Sequence, residues 1–106
     1  PKPVTFAPTL LSGWVNYGDG FAPVEYWKGP DNMVHITGLI KNGVTSEMAI
    51  IFTLPSGYRP GLKEIFTITQ NNAVGRIDVY DNGNVHVIKA GAGFTSLAGI
   101  SFLAKN

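Results

Sequence analysis

The sequence predicts an all-β domain: an antiparallel, jelly-roll-like β-sandwich of about eight short strands. Three observations point there. Gly (13) and Pro (7) are spread along all 106 residues, and apart from Leu62–Val74 no stretch free of both exceeds about eleven residues, the turn density of an all-β chain. Apolar residues recur at every second position in several segments, the period of a strand with one covered face. No segment joins a capping residue to apolar positions three and four apart over ten residues, as a helix would. The tail Phe94–Leu103 comes nearest, but Gly99 and the alternation Ile100-Ser101-Phe102 make it a strand.

In chain order the expected strands are Leu10–Tyr17, Pro23–Lys28, Met33–Ile40, Met48–Thr53, Glu64–Gln70, Gly75–Tyr80, Asn84–Lys89 and Gly99–Ala104. In Met33–Ile40, Val34, Ile36 and Gly38 share one face, and a mid-strand glycine predicts a bulge or the close approach of another backbone. Met48–Phe52 is apolar without alternation, the pattern of a strand covered on both sides. The domain's own core covers one side of a sandwich strand, so a neighbouring subunit is expected over the other. Glu64–Gln70 is rich in β-branched and aromatic residues, which suit a pleated, half-buried surface.

The hairpin around Asp81-Asn82-Gly83 has a readable register. A two-residue loop would set Val79 opposite His86 and send the two valine sets to opposite faces. A three-residue loop with Gly83 left-handed pairs Val79 with Val85 and Ile77 with Val87, so this register is expected. Asp78 then faces His86, with Arg76 and Tyr80 on the same outward side.

Length allows one domain, residues 1–106, with residues 1–9 expected to be an extended lead-in from a preceding stem. The chain opens on Pro1 and not on a signal peptide, as a fragment or processed chain would. Charged residues make up 14%, against roughly 25% in a typical soluble domain. The net charge is +1 and the eight basic residues are scattered, so no basic face offers itself to nucleic acid. The longest apolar run, Met48–Leu54, is far short of the roughly 20 residues of a spanning helix, so no membrane insertion is expected. Cysteine is absent, which excludes disulfides, thiolate chemistry and Cys-built zinc sites; two histidines cannot supply a three-His site. No metal or cofactor is expected.

An enzyme is not expected either. None of the serines sits in a Gly-x-Ser-x-Gly elbow. Seven carboxylates are too ordinary a supply to mark a glycosidase pair. Gly91-Ala92-Gly93 has no following helix pattern and reads as a turn, not a phosphate cradle. What remains suits a saccharide, whose C–H faces stack on aromatic rings and whose hydroxyls pair with carboxylate, amide or imidazole. The ligand-binding candidates are Trp27 with Asp31 and Asn32 in the next turn and His35 beyond it; Tyr17 with Asp19; and Tyr80, Asp81 and His86 around the hairpin. Trp14 and Tyr26 read as core, which turns Trp27 outward as a ligand platform or an interface residue.

Several pieces taken in order resemble the C-terminal head domain of bacteriophage tail-fibre and receptor-binding proteins, especially those of long-tailed phages of Gram-positive hosts. They are Gly13-Trp14-Val15-Asn16-Tyr17, Tyr26-Trp27-Lys28, Val34-His35-Ile36-Thr37-Gly38, Gly43, Ile51-Phe52-Thr53-Leu54-Pro55-Ser56-Gly57-Tyr58-Arg59-Pro60, Ile77-Asp78-Val79, Gly83-Asn84-Val85 and Ser96-Leu97-Ala98-Gly99-Ile100-Ser101-Phe102. The resemblance implies a β-sandwich assembled as a homotrimer at the virion's tail tip, joined to the rest of the tail fibre or baseplate. Such heads bind host cell-surface saccharide, cell-wall polysaccharide or teichoic acid, without cutting it. On this view Trp14, Tyr26, Gly38, Leu54, Pro55, Arg59 and Pro60 are framework. Arg59 would form a structural salt bridge or line an intersubunit groove. A structural tail module without a receptor pocket and a carbohydrate-binding module of a cell-wall hydrolase are the alternatives.

Overall fold

The computed structural model describes residues 3–106; Pro1 and Lys2, the start of the expected lead-in, lie outside it. Ten strands form two antiparallel sheets: β1 (Val15–Asn16), β2 (Glu25–Lys28), β3 (Met33–Thr37), β4 (Leu39–Lys41), β5 (Ile50–Thr53), β6 (Glu64–Gln70), β7 (Ala73–Val79), β8 (Asn84–Lys89), β9 (Thr95–Ser96) and β10 (Ile100–Leu103). Seven make a curled sheet in the order β1-β4-β9-β6-β7-β8-β5; three make a smaller one, β10-β3-β2. The expected β-sandwich is present.

The core lies between the sheets. The small sheet turns Tyr26, Val34, Ile36, Ile100 and Phe102 inward, against Phe52, Ile77, Val79, Val85 and Val87 of the large one. Aromatic pairs cross the gap, with Tyr26 stacked on Phe52 at 6.4 Å and Phe66 tilted on Phe102 at 6.2 Å. Trp14 is buried as expected, its indole packed so closely on Gly43 that no side chain fits there.

The segment Met33–Ile40 is two strands, not one. Gly38 has φ 125°, and a Cβ there would lie 2.5 Å from the Val24 Cα. The chain therefore turns a corner over the Val24 backbone, leaving the small sheet as β3 and entering the large one as β4. Val34, Ile36 and Ile40 are all buried, so the alternation runs unbroken through the corner. That is why the sequence shows a single strand. Leu10–Tyr17 is likewise shorter than expected, because Ser12 (φ 57°) and Gly13 (φ 80°) turn the chain before β1. The two-residue β9 was not expected at all.

The apolar run Met48–Phe52 has an internal cause. Ile50 faces His86 and Phe52 faces Val85, so Ile51 is the extra residue of a bulge. The bulge lets the consecutive Ile51 and Phe52 both enter the protomer's own core, each 0% exposed. The subunit expected over one of them is not needed.

The hairpin has the expected register: Val79 faces Val85, Ile77 faces Val87 and Asp78 faces His86. Gly83 (φ 91°) closes a three-residue loop through its N–H to the Tyr80 carbonyl at 2.9 Å. Asp78 and His86 are themselves buried, however. Asp78 is held by Arg76 at 2.8 and 2.9 Å, and His86 donates from Nδ1 to the Met48 carbonyl at 2.8 Å beneath the Tyr80 ring. Left-handed Glu47 and Met48 bring that carbonyl over the sheet.

Among the described residues Arg59 forms no salt bridge. Its Nε donates to the Leu54 carbonyl at 2.8 Å, while its backbone exchanges hydrogen bonds with Lys105 and Asn106. Leu54–Pro60 thus clips the hairpin loop and the chain's end to the core.

Candidate functional site

β1 ends at Asn16, and the chain at once makes a tight loop. Tyr17 N–H donates to the Leu39 carbonyl at 2.9 Å, and Leu39 N–H donates to Ala22 at 3.0 Å, so both ends of the loop are tied to β4. Between them Gly18, Asp19 and Gly20 are all left-handed, with Phe21 N–H returning to the Gly18 carbonyl at 3.0 Å. The loop sets Tyr17 and Phe21 edge to face, ring centroids 5.4 Å apart.

A second turn stands opposite. β6 and β7 are joined by two residues, Asn71 (φ 42°) and Asn72 (φ 63°), the left-handed pair of a type I′ hairpin. The Asn71 side chain packs against Gly91 and Gly93 and accepts the Phe94 N–H at 2.9 Å. Gly91-Ala92-Gly93 is thus a seat for an amide. β9 follows, its Thr95 buried with Oγ1 bonded to both the N–H and the carbonyl of Gly91.

The loop, the corner at Gly38 and the Asn71–Asn72 turn enclose a groove of about 470 Å³. Tyr17, Phe21 and Phe94 supply rings; Thr37, Asn72 and Ser96 supply hydroxyl and amide groups. Small residues, Ala22, Gly38 and Ala98, keep it open. Its volume falls within the roughly 300–1,000 Å³ of small-molecule sites. Lys41 Nζ lies over the Tyr17 ring, 5.1 Å from its centroid.

The residues singled out in the sequence fall in three separate places. Tyr17 lines the groove, and Asp19 stands exposed at the tip of its loop. Trp27 does turn outward, on the small sheet, stacked on its cross-strand partner His35 at 5.3 Å and 22°. One face of that platform is therefore already covered. Asp31 in the next turn accepts the Met33 N–H at 3.1 Å, a structural task, and Asn32 is left-handed beside a shallow hollow of about 260 Å³. At the hairpin, Tyr80 carries Lys63 Nζ at 4.4 Å and His86 at 4.3 Å, Asp81 is exposed, and His86 is buried.

Of the six ring and polar residues of the groove, the sequence marked only Tyr17. Phe21 was findable, since Tyr17-Gly18-Asp19-Gly20-Phe21 sets two aromatics across one tight turn. Phe94, Asn72, Thr37 and Ser96 carried no local sign. Among the described residues, no group of three or more His, Cys, Asp or Glu is placed to hold a metal ion. Hydrogen bonding to Asp78 raises the proton affinity of Arg76, and burial, with Tyr58 nearby, raises that of the Tyr26 phenol.

No protein-family model and no curated protein matches the sequence. Among solved structures, the chain is similar to the crystal structure of the receptor binding protein (gp15) of Listeria phage PSA. The TM-score is 0.74 at 21% identity, over 99% of this chain and 67% of that one. The two share a fold. The β-sandwich implied by the motifs from Gly13 to Phe102 is thus the fold present, and the groove and the Trp27 platform are set on it.

Proposed function

We propose that this chain is the host-recognition head of a phage receptor-binding protein. It acts as a homotrimer at the virion tail, outside the cell, and binds cell-surface saccharide, cell-wall polysaccharide or teichoic acid, reversibly and without cleaving it. The observation that carries the reading is the fold shared with a phage receptor-binding protein over nearly the whole chain.

The surface chemistry supports it. The groove and the Trp27–His35 platform both offer aromatic faces beside neutral or weakly polar groups, as sugar rings require. Association is supported by Ile65 and Val74, 63% and 66% exposed on the outer face of β6 and β7. A single site of millimolar affinity contributes only about −4 kcal/mol, and three sites per head on many heads convert that into firm attachment.

The test is adsorption of the fluorescently labelled chain to isolated cell walls from a panel of Gram-positive strains, with soluble sugar assayed in the supernatant. Strain-selective retention with no sugar released is the expected result. Absence of retention on every wall would overturn host recognition, and released oligosaccharide would make the chain a depolymerase.

A further inference from the structure

We infer that the groove between the Tyr17–Phe21 loop and the Asn71–Asn72 turn binds an uncharged pyranose ring, and not the phosphate-bearing backbone of a cell-wall polymer. The inference rests on the saccharide-binding reading above and narrows it to one site and one ligand class.

The lining decides the class. None of its ten residues carries a charge. A phosphodiester needs cationic or convergent N–H donors to replace its water. Lys41, beside the groove, has its ammonium over the Tyr17 ring. Asp19, exposed at the tip of the loop, would repel a phosphate. What the groove does offer matches a neutral sugar group by group. Phe21, 55% exposed, and its neighbours Tyr17 and Phe94 present rings to C–H faces. The Asn72 amide both donates and accepts, and the Thr37 and Ser96 hydroxyls do the same, which suits a ligand whose hydroxyls are themselves both.

The site is also pre-formed. Both aromatic loops are pinned by backbone hydrogen bonds: Tyr17 and Ala22 to Leu39, and Asn71 to Phe94. Little ordering is left to oppose a small ligand, which makes a single ring a sufficient occupant.

The experiment is titration of the isotopically labelled chain with methyl glycosides of glucose, galactose, rhamnose and N-acetylglucosamine, and separately with glycerol phosphate, followed by amide shifts. At least one neutral glycoside is expected to shift Gly38, Asn72, Phe94 and Ser96, with glycerol phosphate leaving them unmoved. Phe21→Ala, at an exposed loop position, is expected to raise the glycoside Kd about tenfold or more. Silence from all four glycosides, shifts centred elsewhere, or a glycerol phosphate response in the groove would each overturn the assignment. Wall adsorption separates this failure from that of the broader reading: walls bound with a silent groove sink the groove alone, and a responsive groove without wall binding sinks host recognition alone.

Discussion

Asn71 grips Phe94 at both ends of its backbone: Asn71 N–H donates to the Phe94 carbonyl at 3.1 Å, and Asn71 Oδ1 accepts the Phe94 N–H at 2.9 Å. One residue thereby joins the β6–β7 turn to Phe94, which precedes β9 and carries a groove ring. Its φ of 42° is also the left-handed conformation the type I′ turn demands.

These two duties can be separated. Asn71→Gly keeps the left-handed turn but deletes the acceptor, and should cost about 1–2 kcal/mol. Asn71→Ala loses the acceptor and adds backbone strain of roughly 1 kcal/mol more. Urea midpoints should fall in the order wild type, Gly, Ala, and both variants should bind neutral glycosides more weakly. A Gly variant matching wild type in both measurements would show that Phe94 is held by other means.

Gly38 makes the corner on which the site depends. An added methyl would fall 2.5 Å from the Val24 Cα and 2.7 Å from its nitrogen, backbone atoms that cannot swing away. The φ of 125° compounds the strain. Gly38→Ala should therefore destabilise the chain by about 3–5 kcal/mol, among the larger effects of a single methyl. Unchanged urea unfolding would mean that β3 and β4 do not part here.

How far the sequence revealed this molecule follows from how local each signal is. The register of β7 and β8 was legible because Gly83 and the Val79–Val85 and Ile77–Val87 pairs fix it within a dozen residues. The corner at Gly38 was half legible: glycine announced the close approach, yet unbroken alternation hid the change of sheet. The bulge at Ile51 mimicked a strand covered from two sides, since it turns consecutive residues inward and leaves the same apolar run. The groove was least legible. Tyr17, Thr37, Asn72 and Phe94 meet only because β4, β9 and β6 are neighbours, an order that no short segment encodes.

The phenol of Tyr26 gives stability a pH dependence. Burial, with Tyr58 close by, raises its pKa in the folded chain above the ordinary value of 10.0. As pH climbs past about 10, the unfolded chain loses this proton first, so the folded state binds more protons and stability falls with further alkali. The contribution is fully present below the unfolded pKa and is lost as pH rises through the folded one. Urea midpoints at pH 9 and pH 11 should differ more for wild type than for Tyr26→Phe, which has no phenol to titrate. Equal losses in the two proteins would assign alkaline sensitivity to other groups.

Association has to be argued from the outer face of the large sheet, because the bulge removes the Ile51–Phe52 run as a reason for it. Ile65 stands opposite Asp78, and Val74 opposite Thr69, on the side of β6 and β7 that faces away from the core. Covering either chain in an interface would contribute about 1.5–3 kcal/mol of apolar burial. The wild-type chain should sediment at three times the 11.4 kDa protomer mass. Ile65→Lys combined with Val74→Lys should shift it to single protomers, since like charges would then meet across the contact. Both positions are exposed in the protomer, so the circular dichroism spectrum should not change. A trimer that survives the double substitution would place the contact elsewhere; a wild-type chain that stays single at micromolar concentration would remove the homotrimer, and with it the avidity that weak sugar sites need.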